Sequence, residues 1–138
     1  MNQRNMWGDL GKVEKIKGPA AYLREQAKFF DEAMDYRLQG EVQVIQDKKR
    51  EHFQIDLDIV VPEINHYRYT LLQVEHPMDI YPLSIEVYVS EKNFECSTEQ
   101  QFLDTLKKIL SSAVVTNVIA MLRSTLPDEK PVPDDIPF

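Results

Sequence analysis

The stretch that decides the fold is Phe53-Gln-Ile-Asp-Leu-Asp-Ile-Val-Val61. All of its odd-numbered positions are apolar, whereas Gln54, Asp56 and Asp58 are polar and lie between them. Because successive side chains of a strand point to opposite faces, this alternation predicts a strand with one buried face and one solvated face. A sheet built on such strands needs a cover for its apolar face, and amphipathic helices commonly supply one.

An amphipathic segment precedes this strand. Gly18-Pro19 favours a helix start, because proline at the first helical position loses no needed hydrogen-bond donor. Apolar residues then recur at helical spacing as far as Leu38, and Gly40 follows them. The pattern therefore predicts a helix over 19–38.

A second amphipathic segment follows the strand region. Ser97-Thr-Glu-Gln100 matches a capping box, which predicts that a helix begins there and continues to about Thr125. Ser111-Ser112 and Thr116-Asn117 lower the helix propensity in the middle of this segment. The pattern is compatible with a kinked helix or with two consecutive helices.

Four strand-like segments lie between the predicted helices, at 41–44, 53–61, 67–76 and 83–90. The alternation of the third segment slips at Leu71-Leu72, which predicts a β-bulge there. Short connections between consecutive strands favour an antiparallel meander over parallel crossovers. The predicted fold class is therefore α+β, with an N-terminal helix, a four-stranded antiparallel meander and a C-terminal helix.

Length and composition indicate one folded domain. The chain has 138 residues, of which 43% are hydrophobic and 28% charged, and this balance is typical of a globular domain. We expect an N-terminal arm over 1–18, in which Trp7 and Leu10 either dock on the domain or fray, and a single α+β domain over 19–125. Residues 126–138 hold four prolines and five charges, which predicts a disordered acidic tail.

The net charge of -7 indicates which partners the domain can bind, and the single cysteine indicates the compartment. An acidic domain has no electrostatic reason to bind a phosphate backbone, so we expect no direct nucleic-acid binding by the domain. The single cysteine permits no internal disulfide, which favours a reducing compartment. We see no apolar run of membrane-spanning length and no signal peptide, and the expected location is the cytoplasm, without a membrane.

The polar side chains predict no catalytic, cofactor or metal site. His52, His66 and His76 are scattered, without the spacing of metal ligands. Asp56 and Asp58 lie two apart on the predicted outer face, where they resemble an acid pair. A solvated sheet face explains both without any chemistry, so the sequence predicts a protein that is not an enzyme.

The segment His76-Pro-Met-Asp-Ile-Tyr-Pro82 carries a first resemblance. A helix, a four-strand meander with Tyr-Pro before its last strand, and a second helix resemble the scaffold of ubiquitin-conjugating enzymes and RWD domains. The chain lacks the His-Pro-Asn segment of those enzymes. Cys96 is flanked by Glu95 and Glu99, which disfavour the thiolate that a nucleophile needs. The resemblance therefore implies a non-catalytic adaptor domain.

The C-terminal sequence Pro133-Asp-Asp-Ile-Pro-Phe138 carries a second resemblance. It resembles the acidic tip of bacterial single-stranded DNA-binding proteins, although the rest of the chain lacks the basic and aromatic pattern of their DNA-binding fold. In that family the tip recruits replication and repair enzymes. The resemblance implies that partner proteins that recognise such tips bind the five residues Asp134, Asp135, Ile136, Pro137 and Phe138.

Three functions remain open from the sequence. The first is a non-enzymatic interaction protein of DNA replication, recombination or repair, bacterial or phage-encoded, that docks through this tip. The second is a catalytically inactive adaptor related to ubiquitin-conjugating enzymes and RWD domains. The third is a small acidic chaperone or immunity protein. In the second and third functions, the resemblance of the C-terminal residues to the acidic tip is a coincidence.

Overall fold

Five antiparallel strands form one sheet in the order β1-β2-β3-β4-β5, with helices before and after it in the chain. The structure is a computed structural model that describes residues 4–127. A 3-10 turn at Leu10–Lys12 precedes the regular elements, which are α1 (Pro19–Ala33), β1 (Gln39–Asp47), β2 (His52–Val61), β3 (Tyr67–Pro77), β4 (Leu83–Val87), β5 (Lys92–Cys96), α2 (Glu99–Leu110) and α3 (Ala113–Arg123).

The α+β class and the antiparallel meander are confirmed, but the predicted number of four strands is wrong. The additional strand is β5, which pairs with β4 at the edge of the sheet. Only Phe94 and Cys96 of its five residues are apolar, and this alternation is too short to distinguish a strand from a loop. A short polar strand is typical of a sheet edge, because it discourages further pairing there.

The predicted bulge at Leu71-Leu72 is confirmed. Leu57 of β2 pairs with Leu72, whereas the next residue, Asp58, pairs with Thr70. Leu71 is therefore the extra residue on β3, and both leucines are buried in the core. The apparent slip of the alternation is a bulge that turns two successive leucines toward the same side.

Helix α1 ends five residues earlier than predicted. Asp35 and Tyr36 have φ angles of 52° and 61°, a left-handed conformation that cannot continue a right-handed helix. The chain then enters β1, where a Cβ atom on Gly40 would lie 2.9 Å from the Cβ of Ala27. Glycine is thus required at this position because α1 packs directly on the backbone of β1.

The C-terminal helical segment is two consecutive helices. Helix α2 ends at Leu110, and Ser112 caps α3 by accepting a hydrogen bond from the amide of Val115. The predicted capping box is displaced by one residue: Thr98 accepts from the amide of Gln101, whose side chain accepts from the amide of Ser97. Of the described helices, none is long and apolar enough alone to cross a membrane; α2 and α3 reach that length and composition only together, with a 48° bend between them.

The three helices and one face of the sheet enclose the core. Phe102 of α2 is fully buried and meets the ring of Tyr22 of α1 edge to face, with centroids 6.1 Å apart. The Tyr22 hydroxyl donates a hydrogen bond of 2.7 Å to Oε2 of Glu99. This contact with the carboxylate raises the pKa of Tyr22, and it ties α1 to the start of α2.

Leu57 provides the test of this core. It is buried at the centre of β2, so we expect Leu57→Ala to lower the free energy of unfolding by about 2–5 kcal/mol, the range for truncated core leucines. The exposed Met121 of α3 is the control, and Met121→Ala should change stability by no more than about 0.5 kcal/mol. Urea denaturation measures both, and equal losses would contradict the assigned core.

Candidate functional site

The predicted tip, Asp134 to Phe138, lies outside the described residues, but the point from which the tail departs is described. Nη2 of Arg37, in the turn between α1 and β1, donates hydrogen bonds to the carbonyl oxygen of Pro127 at 2.9 Å and to Oε2 of Glu63 at 2.8 Å. Leu126 packs against the core. The described chain is therefore held to the domain as far as Pro127.

The outer sheet face, opposite the helices, carries a network of charges across three strands. Nη1 of Arg68 on β3 donates to Oδ2 of Asp58 on β2 at 2.7 Å, and its Nη2 donates to Oε1 of Glu41 on β1 at 2.9 Å. The hydrogen bond to Asp58 raises the pKa of Arg68 most strongly, and the bond to Glu41 adds to this effect. Arg68 therefore neutralises carboxylates from both neighbouring strands.

The expectation that Asp58 is solvated is wrong, because this carboxylate is only 1% exposed. Asp58 is a short side chain on a central strand, between the longer Arg68 and Glu41 on the flanking strands, and these cover it. Its Oδ1 atom is buried and accepts no hydrogen bond from any residue between 4 and 127. The ion pair with Arg68 is thus what compensates this buried charge.

Asp56 does not form an acid pair with Asp58. Nε2 of Gln73 donates to Oδ1 of Asp56 at 3.0 Å and also to the hydroxyl of Tyr88 at 3.0 Å. Burial raises the pKa of Tyr88, and the nearby Asp56 charge adds to this effect. The two aspartates therefore have separate partners, Gln73 and Arg68, and both take part in cross-strand structural contacts.

Cys96 is the last residue of β5 and is fully buried. It pairs with Leu83 across the edge of the sheet and belongs to the core. Burial is also the main cause that raises the pKa of the nearby Tyr81 hydroxyl. A buried thiol cannot meet an incoming carbonyl or thioester unless the edge of the sheet opens.

Two of the three histidines, His52 and His76, line one shallow pocket at the end of the β2–β3 pairing, and the third lies apart from them. His76 stacks on Phe53, with ring centroids 5.3 Å apart, and its Nδ1 lies 2.8 Å from the carbonyl oxygen of Pro77. His66 lies in the β2–β3 turn. Across the described part of the chain, no group of three or more histidine, cysteine, aspartate or glutamate side chains is placed to hold a metal ion.

An apolar groove on the helix side of the sheet was not predicted. A groove of about 280 Å³ lies between α1 and α3, above β2 and β3, and we call it the α1/α3 groove. Its lining is mainly apolar and includes Phe29, Phe30, Leu57, Leu71, Val115 and Ile119. Helix α1 packs mainly on β1 and α2 on β5, so few contacts join α1 to α3. The groove follows from this spacing of the helices, which periodicity alone does not reveal.

Comparison with known proteins gives no indication of the function. No protein-family model matches the chain, and searches of the curated proteins and of the solved structures find no significant match. The resemblances to single-stranded DNA-binding-protein tips and to the conjugating-enzyme scaffold therefore remain predictions.

The Arg68–Asp58 pair can be tested by removing its cation. Arg68→Met keeps most of the aliphatic stem but leaves the buried Asp58 without its partner, so we expect a loss of roughly 2–4 kcal/mol of stability. Glu41→Gln alters the exposed branch of the same network and should cost less than about 1 kcal/mol. The denaturation midpoints of the two variants measure these losses. Equal losses of stability would show that the buried charge of Asp58 is not compensated by Arg68.

The burial of Cys96 predicts slow modification of its thiol. In the folded protein a disulfide reagent such as DTNB should react with Cys96 far more slowly than in urea, because the side chain is inaccessible. Cys96→Ala should leave partner binding unchanged. A thioester formed on Cys96 by the folded protein would contradict both statements and favour a conjugating enzyme.

Proposed function

We propose that this protein is a non-enzymatic interaction protein that docks through Asp134 to Phe138 on proteins of DNA replication, recombination and repair. The partners are those that recognise the tips of bacterial single-stranded DNA-binding proteins. The observation that carries the proposal is the sequence Asp134-Asp-Ile-Pro-Phe138, which matches a common form of that tip. The protein either joins this machinery or competes for the same pockets.

The chemistry of the five residues suits such a pocket. Phe138 supplies a ring for an apolar cavity. Ile136 and Pro137 add apolar contact, and proline restricts the backbone. Asp134 and Asp135 can pair with basic side chains at the rim of such a pocket, and such pairing accelerates association and makes it sensitive to salt.

The described domain supports this role as a carrier. Arg37 holds Pro127 at the domain surface, and eleven residues follow it. A fully extended chain of that length spans about 36 Å, so a partner can be reached without any opening of the domain. Residues 18–127 contain 17 acidic and 11 basic side chains, a balance that does not favour nucleic acid as the direct ligand.

A non-catalytic adaptor related to conjugating enzymes and RWD domains is the second candidate. The order of helix, antiparallel meander and helix favours it, and the buried Cys96 is compatible with it. In that case the partner binds the domain, and a chain without residues 128–138 retains the interaction. The two candidates are thereby separable in one pull-down.

The tip is tested with a fluorescein-labelled peptide of residues 127–138 and a purified bacterial repair protein that binds such tips. We expect saturable binding in fluorescence polarisation, weakened by added salt because acidic residues contribute to it. Removal of Phe138 should weaken binding by roughly tenfold or more, as for other anchor residues in pockets.

The matched control is Val132→Ala, which removes apolar atoms outside the tip and should leave the affinity unchanged. The same comparison is made with the full chain and with a chain that lacks Phe138. Undiminished binding without Phe138 would show that the tip is not the ligand.

A further inference from the structure

Residues 4–17, which we call the apolar arm, are exposed along their whole length. Five large apolar side chains are 56–89% exposed in this short segment: Met6, Trp7, Leu10, Val13 and Ile16. Asp9 caps the short 3-10 turn within the arm, and its capping bond runs to the amide of Gly11. Neither Trp7 nor Leu10 docks on its own domain, and such a concentration of exposed apolar side chains marks an interaction surface.

The same chain carries an apolar surface of matching character. The α1/α3 groove has a volume of about 280 Å³ and a mainly apolar lining, and the aromatic side chain of Phe29 at its rim is 60% exposed. The arm therefore exposes apolar side chains that burial would stabilise, and the groove exposes an apolar lining that such side chains can cover. Within one copy the two are present but not joined.

The charges of the two parts are complementary. The first 17 residues hold four basic and two acidic side chains, whereas residues 18–127 hold 11 basic and 17 acidic ones. A cationic arm is attracted to an anionic domain, which raises the rate of encounter and orients the approach. This attraction favours a second copy of the chain as the binding partner over an unrelated apolar surface.

The base of the arm is held at the start of α1. Nζ of Lys17 donates to Oε2 of Glu25 at 2.6 Å and lies 4.4 Å from the centre of the Tyr22 ring. Residues before Lys17 extend from this anchor, and an extended chain of ten residues reaches about 33 Å. That reach is sufficient for the arm to cross to a neighbouring molecule.

From these observations we infer that two copies of this chain associate by exchanging arms, each arm entering the α1/α3 groove of the other copy. Reciprocal exchange produces a closed, two-fold symmetric dimer. Trp7 is the anchor side chain, since tryptophan buried in a pocket commonly dominates the energy of an interface. The dimer would carry two tails, but the inference does not rest on the proposed function of the tail.

The experiment uses the full chain and its intrinsic fluorescence, because Trp7 is the only tryptophan. Sedimentation should show the mass doubling as concentration rises, and the Trp7 emission should shift to shorter wavelength over the same range. Added salt should weaken both changes, because unlike charges attract the arm. Removing residues 128–138 should leave both unchanged.

A matched pair of variants locates the binding surface. Phe29→Glu places a charge at the groove rim and should weaken dimerisation by roughly tenfold or more. Met121→Glu places the same charge on a similarly exposed residue of α3 that does not line the groove, and it should have no effect. Both positions are at the surface, so both variants should fold.

Mixing two variants tests the exchange directly. Trp7→Ala removes the anchor and the fluorophore but keeps an open groove, whereas Phe29→Glu keeps Trp7 but blocks the groove. Neither should show the emission shift alone. Their mixture contains one intact pair of arm and groove, so the shift and the dimer should reappear.

Several outcomes would overturn the inference. A monomeric mass at all concentrations up to ~1 mM would exclude a dimer of useful affinity. An emission shift without a change of mass would mean that the arm enters its own groove. A shift only with anionic lipid vesicles would make the arm a membrane-surface segment. Loss of the dimer on removing residues 128–138 would make the tail the occupant.

Discussion

The pairing of β2 with both β1 and β3 is the constraint on which the rest of the structure depends. β2 is the central partner of two long antiparallel pairings, and its register places Leu57 opposite Val42 on one side and Leu72 on the other. Because side chains alternate along a strand, a slip of one residue would exchange Leu57 with Asp58 between the two faces. The register therefore sets the core, the outer face and the position of the helices together.

The outer face shows how a charge is accommodated at the centre of this sheet. Asp58 is held in register by β2, and Arg68 reaches it from β3 while also reaching Glu41 on β1. The network links β1, β2 and β3 on the sheet face opposite the described helices. Breaking a buried pair is costly even where its formation contributes little net stability, so the network also disfavours alternative registers.

In the function and the dimer that we propose, the domain is a carrier, and its N-terminal and C-terminal segments make the interactions. The residues that first suggested chemistry, Asp56, Asp58 and Cys96, are engaged in cross-strand contacts or buried in the core. The N-terminal arm exposes apolar side chains, and the C-terminal segment departs from a point held by Arg37. Short terminal segments bind partners without disturbing the domain, because few of their contacts belong to its core.

The sequence by itself determined the fold class, the central strand and the bulge, and it indicated that the second helix is interrupted or kinked near Ser111-Ser112. These features rest on local causes, namely the alternation of Phe53 to Val61, the adjacent Leu71-Leu72 and the weak helix formers Ser111-Ser112. The predicted tip is also a property of sequence alone, since a linear motif needs no fold. For that reason the structure of the domain adds nothing to its identification.

Tertiary structure alone decided the remaining features. The burial of Asp58 depends on Arg68, which lies ten residues away in the sequence. Helix α1 ends because of the turn at Asp35 and Tyr36. The fifth strand forms because it pairs with β4. The α1/α3 groove depends on the spacing of helices that lie far apart in the chain. Periodicity reports which face of an element is apolar, but it does not report which neighbour covers that face or what remains uncovered.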